Sequence, residues 1–449
     1  MNAVVLGGGI AGLCAAWGLQ RAGARVVVLE AAPEAGGLAG GFRDRGYTFD
    51  FFSHRLWTRD QEVLRLVEEW TGGPLRRSRK VSRILLGSRL YNYPLDLRDL
   101  MGFQGLRLGA GALHGYLMAR VTPRDPESER DFRGFMTARV GAPLYDTFFG
   151  PYTRKLTGLP PETLASDLAR EAIPPSGLLR QLARRTLRLP DSWDDLYYPE
   201  GGFMTIAEGI ARAIEQEGGE VRLRHRVAAI RGDRDRVDTV EAVGPAGPAS
   251  FRADLVVSTL PIPALLGALD PPADPAARTA AAALRTRAMV VAYLGLRRER
   301  LSSDHWIYVP DPEVRFNRLS ETINYSPRMA PPGRTGLCVE IACERGDAVW
   351  AEDDDTQIAR VAGDLVRLGL LRSAGEVEAA WVRRFAAAYP LYTRDHRAAM
   401  TQVETALGRI ANLRWCGRQA AFWYGSTAQG IRQALDLAAD IAAPAARAA

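Results

Sequence analysis

Gly7, Gly9 and Gly12 stand in a G-x-G-x-x-G spacing directly behind the apolar run Asn2–Leu6. Each has a separate job in gripping an anion. Gly7 allows the tight strand-to-helix turn, Gly9 lacks a Cβ and lets backbone amides approach a pyrophosphate, and Gly12 lets helix and strand pack closely. The helix read over 10–22 points its amino end at the same place, where free N–H groups and the dipole favour negative charge by about 0.3–1 kcal/mol. Eighteen residues beyond Gly12, Glu30 closes a second, β-branched run over 24–30. A carboxylate there accepts both hydroxyls of a ribose and repels a 2′-phosphate. The triplet alone also occurs in ordinary turns; strand, triplet, helix, strand and acid together are far more specific. NAD would satisfy this unit by itself. The following Glu34-Ala35-Gly36-Gly37-Leu38-Ala39-Gly40-Gly41 is long enough to follow an extended diphosphate toward a flavin, so FAD is the expected cofactor.

The elements that must hold these residues are spread along the chain. After the first β-α-β unit a short strand is expected over 46–52. From about 59 to 195 the texture turns to Leu- and Arg-rich helical segments broken at Pro94, Pro123, Pro143, Pro160 and Pro174-Pro175. Gly201-Gly202 precede a helix over 203–217 and a strand over 220–230. The run 253–259 (ADLVVST) reads as a buried parallel strand. Alternating runs between 288 and 388, such as 289–296 and 337–342, predict an antiparallel sheet with one helix over 356–368. A strand at 413–416 and a helix at 428–442 close the chain, ahead of an Ala-rich tail expected to fray.

Pieces that look nucleotide-binding thus lie at the start, middle and end, an order that tandem domains do not explain. The expected fold is α/β: a discontinuous Rossmann-type FAD-binding domain from 1–58, 196–260 and 400–449. A helical insertion (59–195) and a mostly antiparallel β-sheet domain (261–399) are expected to cover the substrate side. A length of 449 residues suits this, at about 150 residues per domain.

Composition narrows the class. With 47% hydrophobic and 24% charged residues the chain is globular, not disordered. No apolar run approaches the roughly 20 residues of a membrane span, and the start lacks the basic n-region of a signal peptide. A cytoplasmic protein is expected. Cys14, Cys338, Cys343 and Cys416 show no CxxC spacing and no histidine cluster, so they read as buried thiols and no metal site is expected. The net charge of +6 comes almost wholly from arginine, since only Lys80 and Lys155 are lysines. Its even spread argues against nucleic acid and suits a small, anionic or sugar-like substrate.

At the glycine segments the chain resembles the flavin amine oxidase and protoporphyrinogen oxidase superfamily, which includes phytoene desaturases and UDP-galactopyranose mutase. Further matches, spread over most of the chain, point to the mutase-like branch. Asp50-Phe51-Phe52-Ser53-His54-Arg55-Leu56-Trp57-Thr58 resembles D-x-G-P-H-x-F-H-T, and Phe149-Gly150-Pro151-Tyr152-Thr153-Arg154-Lys155 resembles F-x-x-Y-T-x-K. Arg318-Leu319-Ser320-Glu321 is similar to its T-R-x-x-E, Tyr389-Pro390 to its Y-P, and Cys416-Gly417-Arg418 with Tyr424 to its closing segment. The chain departs where substrate and flavin meet. Leu156-Thr157 replace an expected tryptophan, Trp57 replaces the second histidine, and Tyr424-Gly425-Ser426-Thr427-Ala428-Gln429 replaces Y-x-N-M-D.

The resemblance implies roles residue by residue. Cofactor contacts fall to Gly7, Gly9, Ala11, Gly12, Glu30 and Ala31 in the first unit and to Gly37 and Leu38 in the glycine stretch. Val227 would touch adenine through its backbone, Gly417 and Arg418 the diphosphate, and Gln429 the flavin edge at the start of the last helix. His54 would lie near the isoalloxazine, tuning it or shuttling a proton, unless it is a hydrogen-bonded core histidine. Arg318 would fork onto a nucleotide diphosphate, the alternative being a surface ion pair with Glu321. Tyr389, Tyr392 and Tyr424 would line the substrate pocket or else pack as core aromatics. His54, Arg318, Tyr389 and Tyr424 are the catalytic candidates. The expected activity is FAD-dependent oxidation of an alcohol or amine carbon. The rivals are a mutase-like isomerase, a porphyrinogen or carotenoid oxidising enzyme, and a flavin-binding scaffold without activity.

Overall fold

A computed structural model describes residues 1–93, 110–111, 118, 129–172 and 195–446. Pro94, Pro123 and Pro174-Pro175, with much of the helical texture expected over 59–195, lie outside the described residues, as does the end of the Ala-rich tail.

Strands far apart in sequence converge on one five-stranded parallel sheet. Its order is Leu413–Trp415, Leu255–Ser258, Asn2–Leu6, Arg25–Leu29 and Glu220–Arg222. Asn2–Leu6 is central, pairing Val4 with Val256 on one side and Val27 on the other. These strands are apolar on both faces because both are covered: Val5 and Val28 face the helices, while Val4 and Leu29 face Ile230 and Val240 of a four-stranded sheet and helix Ile262–Ala268. Helix Ile10–Arg21 packs between helices Met204–Gln216 and Thr427–Ala446, burying Leu13, Ile206, Ile210 and Ile431. Each such side chain contributes about 1.5–3 kcal/mol when fully buried.

A seven-stranded sheet forms the other side, in the order Val377–Pro390, Thr286–Leu296, Thr335–Cys343, Arg318–Glu321, Trp306–Tyr308, Ser82–Leu86 and Arg89–Asn92. Helix Asp354–Arg367 covers one face through Val361 and Leu365, against Ile307, Leu319 and Val339. The opposite face carries Tyr308, Arg318 and Glu340, neighbours across three adjacent strands.

Two local expectations differ. Residues 76–92, read as helical, form strands Arg76–Arg79, Ser82–Leu86 and Arg89–Asn92, the last two joined by a turn at Gly87 (φ 61°). Leu- and Arg-rich segments fit either period, and pairing with Asp195–Tyr198 and Trp306–Tyr308 decides the outcome. The single strand expected over 220–230 breaks into Glu220–Arg222 and Arg226–Gly232, which join different sheets. Arg224, at φ 58°, makes the corner, and its amide donates to the Ala32 carbonyl at 2.9 Å.

Among the described residues no helix is long and apolar enough to cross a membrane, and no group of three or more His, Cys, Asp or Glu could hold a metal.

Candidate functional site

The glycine turn connects Asn2–Leu6 to helix Ile10–Arg21. Gly7 sits at φ 102°, and a Cβ there would lie 2.3 Å from Thr259 Oγ1. At Gly12 a Cβ would come within 2.0 Å of the Gly7 carbonyl oxygen. Both glycines are therefore demanded by the packing itself. Gly9 is different: at φ −71° and ψ 170° its backbone is extended, and a Cβ would meet nothing nearer than 3.9 Å. Gly9 is also the N-cap, has no side-chain cap, and opens a helix with no acidic residue in its first turn. The amides of that turn lack acceptors within the helix and face an open approach, as a diphosphate requires.

Glu30 lies beside this turn. Its Oε2 accepts from the Gly8 amide at 2.7 Å and its Oε1 from the Ala32 amide at 2.8 Å, which fixes the carboxylate plane. Each oxygen keeps a lone pair for a ribose hydroxyl. Gly36 donates to the Gly8 carbonyl at 2.8 Å, so the glycine stretch with Gly37 and Leu38 docks on the first turn. Gly417 (φ 83°) closes the other side; a Cβ on it would be 2.8 Å from that of Ala11. These neighbouring features fit the diphosphate and ribose of FAD. Ala31 is exposed at the end of the second strand, and half-buried Val227 pairs with Ala242 in a separate four-stranded sheet.

His54 is tied to the glycine stretch through Nε2, 2.7 Å from the Leu38 carbonyl. A carbonyl only accepts, so Nε2 carries the proton and Nδ1 remains an acceptor. The ring stacks on Phe203 at 5.1 Å and 19°. Burial pushes its pKa down to about 3; the Leu38 bond pulls upward, and the charges of Arg418, Arg318 and Arg55 push down again. The imidazole is neutral at physiological pH, which disfavours the proton-shuttle role. Phe203 is itself held by Asp50, a residue whose role the sequence did not disclose. Its Oδ1 accepts from the Phe203 amide at 2.8 Å and its Oδ2 from the Tyr198 hydroxyl. Burial pushes the Asp50 carboxyl up to about 7 against those two bonds.

Arg318 does not pair with Glu321. Its Nε and Nη2 fork onto Glu340 at 2.9 and 2.6 Å, and Nη2 also reaches the Tyr389 hydroxyl at 3.2 Å. Strand register causes this, since Arg318 and Glu340 are direct cross-strand neighbours. Glu321 instead accepts from the Leu301 and Ser302 amides and Thr335 Oγ1. Glu340, 1% exposed, also receives the Ser53 amide at 3.4 Å and so ties this sheet to the loop before His54. Burial opposes the Arg318 charge, but Glu340 and two tyrosines outweigh it and hold the guanidinium protonated. A single glutamate inside the apolar run 337–343 was the available signal for Glu340.

Tyr389 and Tyr424 stack at 5.4 Å and 26°, with the Arg418 guanidinium over both rings at 5.3 and 5.6 Å. Arg418 Nη2 donates to the Gly425 carbonyl at 2.9 Å. The structure thus groups Arg418 with the two tyrosines. Tyr308 meets Tyr152 and Tyr93 edge to face, at 5.2 and 5.4 Å, and Phe148 packs on Tyr152 at 5.6 Å. Tyr308 is the cross-strand partner of Arg318, which reaches the Tyr389 hydroxyl, and Tyr389 stacks on Tyr424, so these groups form one neighbourhood. Burial raises the phenol pKa of Tyr93, Tyr152, Tyr389 and Tyr424, so they stay neutral. Tyr392 is core: its hydroxyl accepts from the Tyr424 amide at 2.8 Å and its ring stacks on His396 at 4.3 Å. Gln429 is exposed, with Oε1 accepting from the Ser426 amide at 2.8 Å. Lys155, in the Tyr152-containing motif, is a structural clip: Nζ donates to the carbonyls of Val309, Asp311 and Phe316.

Solved structures with the same fold span nearly the whole chain. A reduced UDP-galactopyranose mutase superposes with a TM-score of 0.82 at 20% identity, covering 98% of this chain and 93% of its own. A putative protoporphyrinogen oxidase from Exiguobacterium sp. 255-15 gives 0.73 at 19%, with 99% of both chains covered. A putrescine oxidase bound to putrescine gives 0.68 at 16%, again over 99% of each. The model of the flavin containing amine oxidoreductase family matches residues 10–442, so the chain belongs to that family and is an FAD-dependent oxidoreductase.

Proposed function

We propose that this oxidoreductase removes a hydride from an alcohol or amine carbon of a small, sugar-like or nucleotide-linked substrate held beside the tyrosine cluster. The observation that carries this reading over isomerisation is the Arg318–Glu340 pair. A mutase-type reaction would draw on Arg318 to grip a nucleotide diphosphate, and here two of its nitrogens are already spent on a buried carboxylate. FAD, when bound, supplies the two-electron acceptor for the chemistry. The chain's own work is positioning. Amides of the Gly7–Gly12 turn hold the diphosphate and Glu30 holds the ribose. Neutral His54 offers Nδ1 as a hydrogen-bond acceptor and is too weak a base to take a proton near pH 7. Tyr389 and Tyr424 present neutral hydroxyls and ring faces that suit an amine or the apolar face of a sugar.

The test is anaerobic: the yellow protein is mixed with amines, alcohols, sugars and sugar nucleotides, and flavin bleaching is followed. If no candidate of these classes bleaches it, the reading fails. The whole-length likeness to the mutase structure favours a second reading, a flavin-dependent isomerase. That reading predicts ring contraction of UDP-galactopyranose only after dithionite reduction, and absence of the furanose product rejects it.

A further inference from the structure

We infer that Arg55 is a specificity-determining residue that recognises a compact oxyanion, a carboxylate or a phosphate, on the substrate. This deepens the proposed oxidation by naming a group its substrate must carry, and it rests on that reading. Several other partly buried arginines are spent on carboxylates. Arg83 is paired with Asp304, Arg298 with Glu376, Arg384 with Asp354, and Arg432 with Asp60. Arg55 is half-buried too, yet among the described residues it meets no carboxylate. Among those residues its side chain makes one hydrogen bond, from Nη1 to the Ser53 carbonyl at 3.3 Å.

What holds Arg55 is Trp306, whose ring centre lies 4.2 Å from the guanidinium carbon. Stacking occupies the face of a guanidinium, whereas its five N–H donors lie in the plane and point outward. The ring contact and the Ser53 bond place the side chain while leaving most of its donors unspent among the described residues, the condition for bidentate recognition of an oxyanion. Its place suits the task. Arg55 directly follows His54, and Trp306 is two residues from Tyr308 on the strand that bears the cluster.

Arg55, Arg318 and Arg418 all act electrostatically on His54. Glu340 answers Arg318, while among the described residues Arg418 meets carbonyls and ring faces and no carboxylate. Two positive charges, on Arg55 and Arg418, thus have no carboxylate partner among the described residues. If the FAD diphosphate engages Arg418, one remains, and an anionic substrate group would neutralise it.

The experiment titrates the oxidised holoenzyme with benzoate and with inorganic phosphate, following the flavin absorption spectrum, with uncharged benzamide as control. It needs no turnover, so its outcome is independent of whether a reducing substrate is found. Arg55→Gln, which keeps a planar polar end without charge, should weaken binding of the oxyanion tenfold to a hundredfold. Arg55→Lys should fall between, and benzamide should respond equally in all three proteins. A response to benzoate alone assigns a carboxylate; a response to phosphate alone assigns a phosphate. Unchanged anion affinity in Arg55→Gln, no response to either anion, or loss of FAD itself from the variants would overturn the inference. A shifted flavin reduction potential with unaltered anion binding would overturn it as well, by assigning the charge to the cofactor.

Discussion

Two alanine substitutions in one motif should fail in opposite ways, because Gly9 and Gly12 meet different surroundings. A methyl group on Gly12 would press to 2.0 Å against the Gly7 carbonyl oxygen and 3.2 Å against its carbon. Both are backbone atoms, so no rotamer change relieves the contact and helix Ile10–Arg21 must lift from the central sheet. Overpacking of this kind costs about 1–3 kcal/mol, with the upper end expected where the obstacle is main chain. It exceeds the roughly 1 kcal/mol that alanine gains over glycine within a helix. A methyl on Gly9 enters space whose nearest atoms, in Gly37 and Gly36, lie 3.9–4.0 Å away. Its extended backbone accepts alanine, so the apoprotein should lose at most about 1 kcal/mol, through the poorer N-cap. FAD should suffer instead. Holding the diphosphate back from one charge-assisted amide bond, worth about 1.5–3 kcal/mol, weakens the cofactor tenfold to a hundredfold. Thermal unfolding of the apoprotein and fluorescence titration with FAD separate the two effects. Wild-type FAD affinity in Gly9→Ala would show that the diphosphate is not gripped there, and wild-type apoprotein stability in Gly12→Ala would refute the packing argument.

Three further outcomes follow from side chains. Glu340→Ala strands the Arg318 charge and should cost about 3–5 kcal/mol, whereas Arg318→Met with Glu340→Leu should recover most of it; denaturant unfolding of both variants checks this. His54 stays neutral in the folded protein down to about pH 3, while the unfolded chain takes up a proton near pH 6.5. Stability should therefore fall as pH drops from about 6.5 toward 3, by at most about 1.4 kcal/mol per pH unit from this residue. His54→Gln should flatten that acid limb, and an unchanged Tm-versus-pH curve would refute it. Lys155→Met removes the donor from three carbonyls at once. A loss of roughly 3 kcal/mol and faster proteolysis within 309–316 are expected, the latter visible by mass spectrometry of the fragments.

The part of this architecture that could be read from the chain is the part determined locally. Gly7, Gly9, Gly12 and Glu30 lie within thirty residues, and turn, helix start and strand end are dictated by neighbours in sequence. The parallel strands at 255–258 and 413–415 were legible for a related reason: short β-branched or apolar runs bounded by turns have few other places to go. What escaped was everything fixed by register. A glutamate within Leu337-Cys338-Val339-Glu340-Ile341 must find a partner, because an unpaired buried charge is too costly. Nothing in that run says which of the 56 arginines (58 basic residues less two lysines) will answer. The answer comes from antiparallel pairing that sets Arg318 opposite Glu340, and a slip of one residue would send the two to opposite faces.

Motif similarity likewise singled out Arg318 without disclosing its pair with Glu340, and it gave no role to Arg55. A motif gives the type of a side chain at a position, not the charge it already satisfies. Arg318 matches the pattern and has Nε and Nη2 engaged by Glu340; Arg55 occupies a position the pattern leaves open and meets no carboxylate among the described residues. A guanidinium's capacity for a ligand is what remains after its neighbours are served. Chemistry at such a site is therefore better predicted by subtracting internal pairs from the inventory of charges than by counting matches. Made at this site, that subtraction leaves a positive charge on a stacked, oriented arginine next to His54, and it is the substrate's turn to supply the counterion.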